Sequence, residues 1–317
     1  MVTCVLLDGV EDELKRRFPG GTFIGVAVDG SQMSERAAQV AARFCDVKRG
    51  DKLVVMHISD SHKAYLPRHL QPAHLKNYYH DLAAATKLGV RAEWQCREKD
   101  EGMSTCQTLT KMADRLAVDL LVLGSFGRKG EKLDMLGSVS DFSLRESAAS
   151  LCIVRSTSSN FDRQAKFLFA TDGSRAAALA FVMLVSKIRR AMDIVAVTMV
   201  STTDGVVEAG YLEHYKAFMA KYSVPGKCFV RCIDRLQQTV PEGILEAVRE
   251  SGSDILAMGI SGYGRKKLGS VSEEISIRAP CTTLIIKDSY DVMHARYSTM
   301  GVSSLAKELL PRNFKHT

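Results

Sequence analysis

Along residues 23–154 short apolar runs alternate with longer segments of helical period. Phe23 to Val28 is apolar throughout and ends at Asp29-Gly30-Ser31. Ser31 suits a helix N-cap, and Ala37, Ala38, Val40, Ala41 and Phe44 then fall on one helical face. Lys52 to Ile58 reads as a second strand, Val90 to Cys96 as a third, Leu120 to Leu123 as a fourth and Leu151 to Val154 as a fifth. Between them lie a polar stretch from Ser59 to Asn77 leading into a helix to about Lys87, a helix capped by Ser104, and a helix opening at Ser138 and running to Arg145. Strands that alternate with helices predict an α/β fold with a parallel sheet covered on both faces. Ligands of such sheets sit at the strands' carboxyl ends, where Asp29 and Gly124 both fall.

The pattern then repeats. Lys166 to Ala170 leads to Thr171-Asp172-Gly173-Ser174, Ile194 to Met199 echoes the second strand, and Lys227 to Ile233 the third. Asp254-Ile-Leu-Ala-Met-Gly259 echoes Asp119-Leu-Leu-Val-Leu-Gly124, Gly269-Ser-Val-Ser echoes Gly137-Ser-Val-Ser, and Thr283 to Ile286 echoes the fifth strand. Each copy is long enough to own a core, so this is a tandem duplication and not a solenoid. The expected division is an N-terminal extension (1–22), a first domain (23–156), a polar linker (157–165), a second domain (166–288) and a tail (289–317). In the extension, Val5 to Leu7 suggests a short strand and Glu11 to Phe18 a short helix; in the tail, Ser304 to Leu310 suggests one helix.

Composition narrows the function classes. The 317 residues are 46% hydrophobic and 25% charged, which is globular. No apolar run is long enough to span a membrane and the N-terminus has no basic start to a secretory signal, so a cytoplasmic protein without membrane association is expected. A net charge of +7 favours anionic ligands but is too dilute for a nucleic-acid binder. The eight cysteines form no Cys-x-x-Cys pair, which predicts buried, reduced thiols; irregularly spaced His62, His69, His74 and His80 give no convincing metal site.

The candidate chemistry lies after the fourth strand. Gly124 and Gly127 allow a sharp turn and close backbone approach, and Gly137-Ser138 opens a helix whose free N–H groups suit an anion. The alternative is a loop whose glycines only serve turns. Asp29 is either a capping carboxylate or a ligand-binding one, and the glycine pair in the same domain favours the second. Arg128, Lys129 and Lys132 either neutralise phosphates or form a solvated face. His57, within a strand, is expected to be packed or hydrogen-bonded. No Walker-type loop, dinucleotide glycine motif or nucleophile elbow competes, and no catalytic residue is identified.

The strand end Ala27-Val-Asp-Gly-Ser31, the spacing Gly124-x2-Gly127-x9-Gly137-Ser138 and the run Gly137-Ser-Val-Ser-Asp-Phe-Ser-Leu-Arg145 resemble the universal stress protein family in its tandem form, over nearly all of residues 23–287. The resemblance implies five-stranded parallel, Rossmann-like sheets of the adenine nucleotide α-hydrolase type. It implies ATP or AMP as ligand, with or without magnesium. Val28 and Asp29 would contact the base or ribose, the backbone of Ile58 the base, and Gly124, Gly127, Gly137, Ser138, Val139 and Ser140 the ribose and phosphates. The corresponding residues of the second copy are Asp172, Met199, Gly259, Gly262, Gly269 and Ser270. There only six residues separate Gly262 from Gly269, against nine between Gly127 and Gly137. Either this site is weakened or lost, the favoured reading because a shorter loop cannot follow the same path, or it holds a smaller nucleotide beside Arg265, Lys266 and Lys267. The resemblance further implies pairing of the two repeats as an internal pseudo-dimer, with a homodimer also open. The expected function is a nucleotide-dependent regulator in stress response, not primarily an enzyme; a slow ATPase or a non-binding interaction module are the alternatives.

Overall fold

The computed structural model describes residues 7–63, 66–85, 90–128, 130, 135–155, 164–189, 191–260 and 268–288. Val5 and Leu6, Lys129, Lys132, the linker from 156 to 163, Gly262 with the residues to Lys267, and the tail lie outside them. Two compact units emerge. One gathers residues 18–154; the other gathers residues 155–288 together with the N-terminal helix α1 (Leu7–Arg17).

The first unit runs β1 (Phe23–Ala27), α2 (Gln32–Phe44), β2 (Lys52–Ser59), α3 (Pro72–Ala85), β3 (Ala92–Glu98), α4 (Thr105–Arg115), β4 (Leu120–Gly124), α5 (Ser138–Glu146) and β5 (Ser150–Val154). Its strands are parallel, in the order β3-β2-β1-β4-β5. Strands fed by helices on both faces bury both sides, so β4 reads as an unbroken apolar run; Leu120, Leu121, Val122 and Leu123 are all buried. Each such side chain contributes about 1.5–3 kcal/mol relative to exposure. Chain order reverses between β1 and β4, which leaves a crevice at their carboxyl ends.

The second unit repeats the plan with β6 (Lys166–Ala170), α6 (Arg175–Lys187), β7 (Ile194–Ser201), α7 (Val206–Lys221), β8 (Gly226–Cys232), α8 (Val240–Ser251), β9 (Ile255–Ile260), α9 (Ser270–Arg278) and β10 (Thr282–Lys287). Its parallel order is β8-β7-β6-β9-β10. Ser31 caps α2 by accepting the Ser34 N–H, and Ser174 caps α6 by accepting the Ala177 N–H. Ser104 with Gln107, and Thr239 with Glu242, form capping boxes at the helices preceding β4 and β9.

Carboxylates, buried at Asp51 and Asp193 and half-buried at Asp119 and Asp254, set where the first strand of each unit begins. Asp51 accepts the Thr22 N–H at 2.7 Å and the Asp46 N–H at 3.0 Å, while Asp119 accepts the Phe23 N–H at 2.8 Å. Asp193 accepts the Ala165 N–H at 3.0 Å and the Arg189 N–H at 2.7 Å, and Asp254 accepts the Lys166 N–H at 2.9 Å.

The N-terminal segment departs from expectation. Helix is already present at Leu7, the first described residue, ahead of the expected start at Glu11, and it packs on α6 and α7 although the chain next enters β1 of the other unit. Leu7 and Val10 are buried there, at 6% and 1% exposure.

Removing a buried acceptor strands the N–H groups it served, which costs about 1–3 kcal/mol. Asp51→Ala should therefore lower the stability of the first unit, and Asp193→Ala that of the second, each by about 2–3 kcal/mol. Native-state hydrogen exchange checks this: lost protection should stay within the unit that carries the substitution.

Candidate functional site

The turn after β1 is built around Gly30, which has a φ of +81°. A Cβ there would lie 2.5 Å from Leu70 Cδ2, so the segment leading into α3 closes directly over the turn. Asp29 is not merely a cap. Its Oδ1 accepts the Ser31 N–H at 3.0 Å, as capping requires, but its Oδ2 accepts the Arg128 N–H at 3.1 Å. The carboxylate thus joins the β1 turn to the glycine loop. Arg128 Nε lies 3.9 Å from the same oxygen.

The three glycines of this loop answer three different constraints. A Cβ on Gly124 would meet Met33 Cγ at 2.5 Å, because the start of α2 leans on the end of β4. A Cβ on Gly127 would fall 2.6 Å from Asp29 Oδ2, so glycine is what permits the carboxylate to reach the loop backbone. A Cβ on Gly137 would stand 3.0 Å from both Phe126 Cα and Ser125 O. The loop is clasped there: the Gly137 N–H donates to Ser125 O at 2.7 Å, and the Ser125 N–H donates to Val154 O at 2.8 Å. Ser140 Oγ donates to Gly124 O at 2.6 Å, tying α5 back to β4.

This geometry sorts the candidate residues by what each can offer. The N–H of Gly137 and the hydroxyl of Ser140 are engaged within the protein. The first intrahelical bond of α5 is Asp141 N–H to Gly137 O, at 2.9 Å. The N–H groups of Ser138, Val139 and Ser140 precede it and are left unpaired by the helix itself. Together with the helix dipole they form a positive end next to the glycine loop.

His57 lines the same end of the sheet. It is buried, and its Nδ1–H donates to Val28 O at 2.8 Å, which fixes the tautomer. Its ring stacks on Trp94 with centroids 5.9 Å apart. Burial pushes the imidazole pKa down, and the Val28 hydrogen bond opposes this only in part, so the ring is held neutral. Ile58 follows it at the half-buried end of β2, in register with Arg97. Sequence reading did not single out Ser34 and Tyr79. Ser34 Oγ donates to Ser31 O at 2.8 Å and lies 2.7 Å from the buried Tyr79 hydroxyl, which anchors α3 to the start of α2. A short polar residue in the first turn of α2 and a tyrosine in an otherwise polar helix were the available signals.

The second copy diverges at several corresponding points. Asp172 is exposed and its Oδ1 accepts the Ser174 N–H at 2.9 Å, a local turn. Strand register makes Met199 the counterpart of His57, so the residue matching Ile58 is Val200, one further on. A Cβ on Gly259 would collide with the Ala176 backbone carbonyl, since α6 sits directly on β9. Ile260 O, which matches Ser125 O, accepts the Asp288 N–H at 3.0 Å. Ser272 Oγ donates to Gly269 O at 2.9 Å, within its own helix start, where Ser140 reaches the preceding strand instead. Among the described residues, a Cβ on Gly269 would meet nothing closer than Ser272 Oγ at 3.9 Å. Ser270 opens α9 as Ser138 opens α5. Among the described residues no cluster of three metal-ligating side chains occurs, and no helix is long and apolar enough to cross a membrane.

A family model described as the universal stress protein family matches residues 23–155 and again residues 165–287. Among solved structures the chain is similar to a universal stress protein from Archaeoglobus fulgidus DSM 4304, with 18% identity and a TM-score of 0.60 over 84% of this chain and 98% of that one. A putative universal stress protein from Pseudomonas aeruginosa UCBPP-PA14 gives 16% identity and a TM-score of 0.59 over 87% and 97%. A functionally unknown protein from Pseudomonas aeruginosa PAO1 gives 15% and 0.59 over 90% and 97%. At these identities the likeness establishes the fold. Comparison with curated proteins gives no match.

The unequal glycine environments predict unequal tolerance. Gly137→Ala should cost about 1–3 kcal/mol by crowding Phe126 and Ser125, whereas Gly269→Ala should stay within about 0.5 kcal/mol of the parent. Denaturant midpoints compare the two. His57 predicts a pH effect. Its folded pKa is depressed, so its contribution is complete above the unfolded value of about 6.5 and is lost as pH falls towards the folded pKa, where the unfolded chain takes up the proton first. His57→Gln should flatten stability against pH in that window, and NMR should find the ring titrating below the ordinary histidine range.

Proposed function

Because the chain belongs to the universal stress protein family, we propose that its first unit binds an adenine nucleotide, ATP or AMP, and that the chain acts as a nucleotide-dependent regulator in stress response. The observation that carries this reading is the closed glycine loop beside an open helix start. Asp29 holds Arg128, Ser125 holds Gly137, and the N–H groups of Ser138, Val139 and Ser140 face no intrahelical partner. A phosphate satisfies that set of donors without moving the loop. In this reading Val28, Asp29 and Ile58 frame the base and ribose. Gly124 and Gly127 give the ligand backbone access, Gly137 closes the loop, and α5 supplies the anion-binding amides. Arg128, half-exposed at the mouth, adds positive charge, and magnesium would accompany ATP through its phosphates.

The second unit takes the role of an interaction module. Support comes from its β9 end: among the described residues Ile260 O is engaged by Asp288 and not by Gly269, and nothing stands close enough to Gly269 to demand glycine. An internal pseudo-dimer, or a homodimer of whole chains, belongs to the same proposal. Its support is that β5 is the last strand in the order of the first unit and β10 the last in that of the second, and size-exclusion chromatography with light scattering reads the chain's state.

Isothermal titration with ATP and with AMP, with and without magnesium, should give one site per chain. Gly127→Val should abolish binding while the rest of the fold stays intact, and Gly269→Val should leave it unchanged. No heat with any adenine nucleotide, or two sites per chain, would falsify the proposal.

A further inference from the structure

Superposing the repeats by their Asp-Gly-Ser turns aligns α2 with α6 residue by residue. In α2 the outward positions are polar: Glu35, Arg36 and Gln39, with Gln32 and Gln39 exposed. The matching residues of α6 are Ala178, Leu179 and Val182, and every residue from Ala176 to Val185 is buried. A helix that is apolar all round requires a cover on every side. In this chain α1 packs on α6.

The contact has a defined chemistry. Leu7, Val10 and Leu14 recur at helical spacing along α1, the first two buried and the third half-buried. Glu13 pairs with Arg175, the first residue of α6, and with Arg17. Arg17 also reaches Asp288 Oδ1 at 3.1 Å, just past β10. The Tyr222 hydroxyl, at the end of α7, donates to Glu11. Apolar residues thus supply the contact, and two carboxylates fix its direction and register, which is helix-in-groove recognition made within one chain.

We propose that the outer face of α6, with Arg175 and Tyr222 at its margins, is a docking surface for an acidic amphipathic helix, and that α1 holds this surface as a displaceable placeholder. The partner carries apolar residues at positions i, i+3 and i+7, with carboxylates at i+4 and i+6, the pattern α1 itself displays from Leu7 to Leu14. Covalent attachment gives α1 a high effective concentration, so a partner of similar contacts competes only when α1 is weakened or the partner is longer. The inference extends the reading of the second unit as an interaction module. Nucleotide titration of the first unit is unaffected by its outcome, so the two stand or fall separately.

The test uses the full chain and a fluorescent peptide of residues 5–19. The wild-type chain should bind the peptide weakly. The Val10→Asp chain should bind it markedly more tightly, with α6 losing hydrogen-exchange protection that added peptide restores. A Glu13→Arg peptide should fail on that chain and bind once Arg175→Glu is introduced. Should Val10→Asp unfold the second unit, the Glu13→Arg chain serves instead, with the Glu13→Arg/Arg175→Glu chain restoring protection of α6. The proposal is overturned if α6 is equally protected in all these chains, or if peptide binding is indifferent to reversal at Glu13.

Discussion

The clasp between Gly137 and Ser125 O is the contact on which the first unit's glycine loop depends. Just past the fourth strand of the first unit, Ser125 O takes the Gly137 N–H and so draws the glycine loop shut against the start of α5. At the same place in the second unit, Ile260 O takes the Asp288 N–H and lengthens the pairing of β9 with the chain beyond β10. The first arrangement ties the two ends of the loop together beside the positive end of α5. In the second, Gly269 makes no such bond to Ile260 O among the described residues. The crowding of Gly137, the placement of Ser140 on Gly124 and the reach of Asp29 to Arg128 all depend on the loop being drawn in.

Much of the fold was legible because its periods are unambiguous. β4 and β9 are apolar runs bounded by aspartate and glycine, and the serine caps stand where the first helix of each unit begins. The three-residue difference between the loops was also visible, although residues 261–267 lie outside the described residues. What could not be read was any relation between residues distant in sequence. Asp29 can be recognised as a capping residue, but not as the acceptor for an amide 99 residues away. The counterpart of Ile58 was misplaced by one residue because strand register is set by pairing, and Val195 to Ser201 gives no internal mark of where that pairing begins.

The N-terminal helix shows the same limit from another side. Taken alone, residues 7–17 are a short charged segment without a destination. The signal lay elsewhere, in Ala178, Leu179 and Val182, where α2 has Glu35, Arg36 and Gln39. An internal duplication makes such differences informative, since the two copies share a scaffold and diverge in what covers it. The first copy has a clasped glycine loop and a polar outer helix face. The second lacks that clasp among its described residues and has an apolar face covered from within the chain.

The central claim is that one helix start, and not its duplicate, is built to receive an anionic ligand. Hydrogen-exchange mass spectrometry of the full chain with and without magnesium and ATP tests it directly. The account predicts nucleotide-dependent protection at the amides of Ser138 to Ser140 and around Gly127 and Arg128, with no change at Ser270 to Ser272. Protection at the start of α9, or none at either helix, would contradict it.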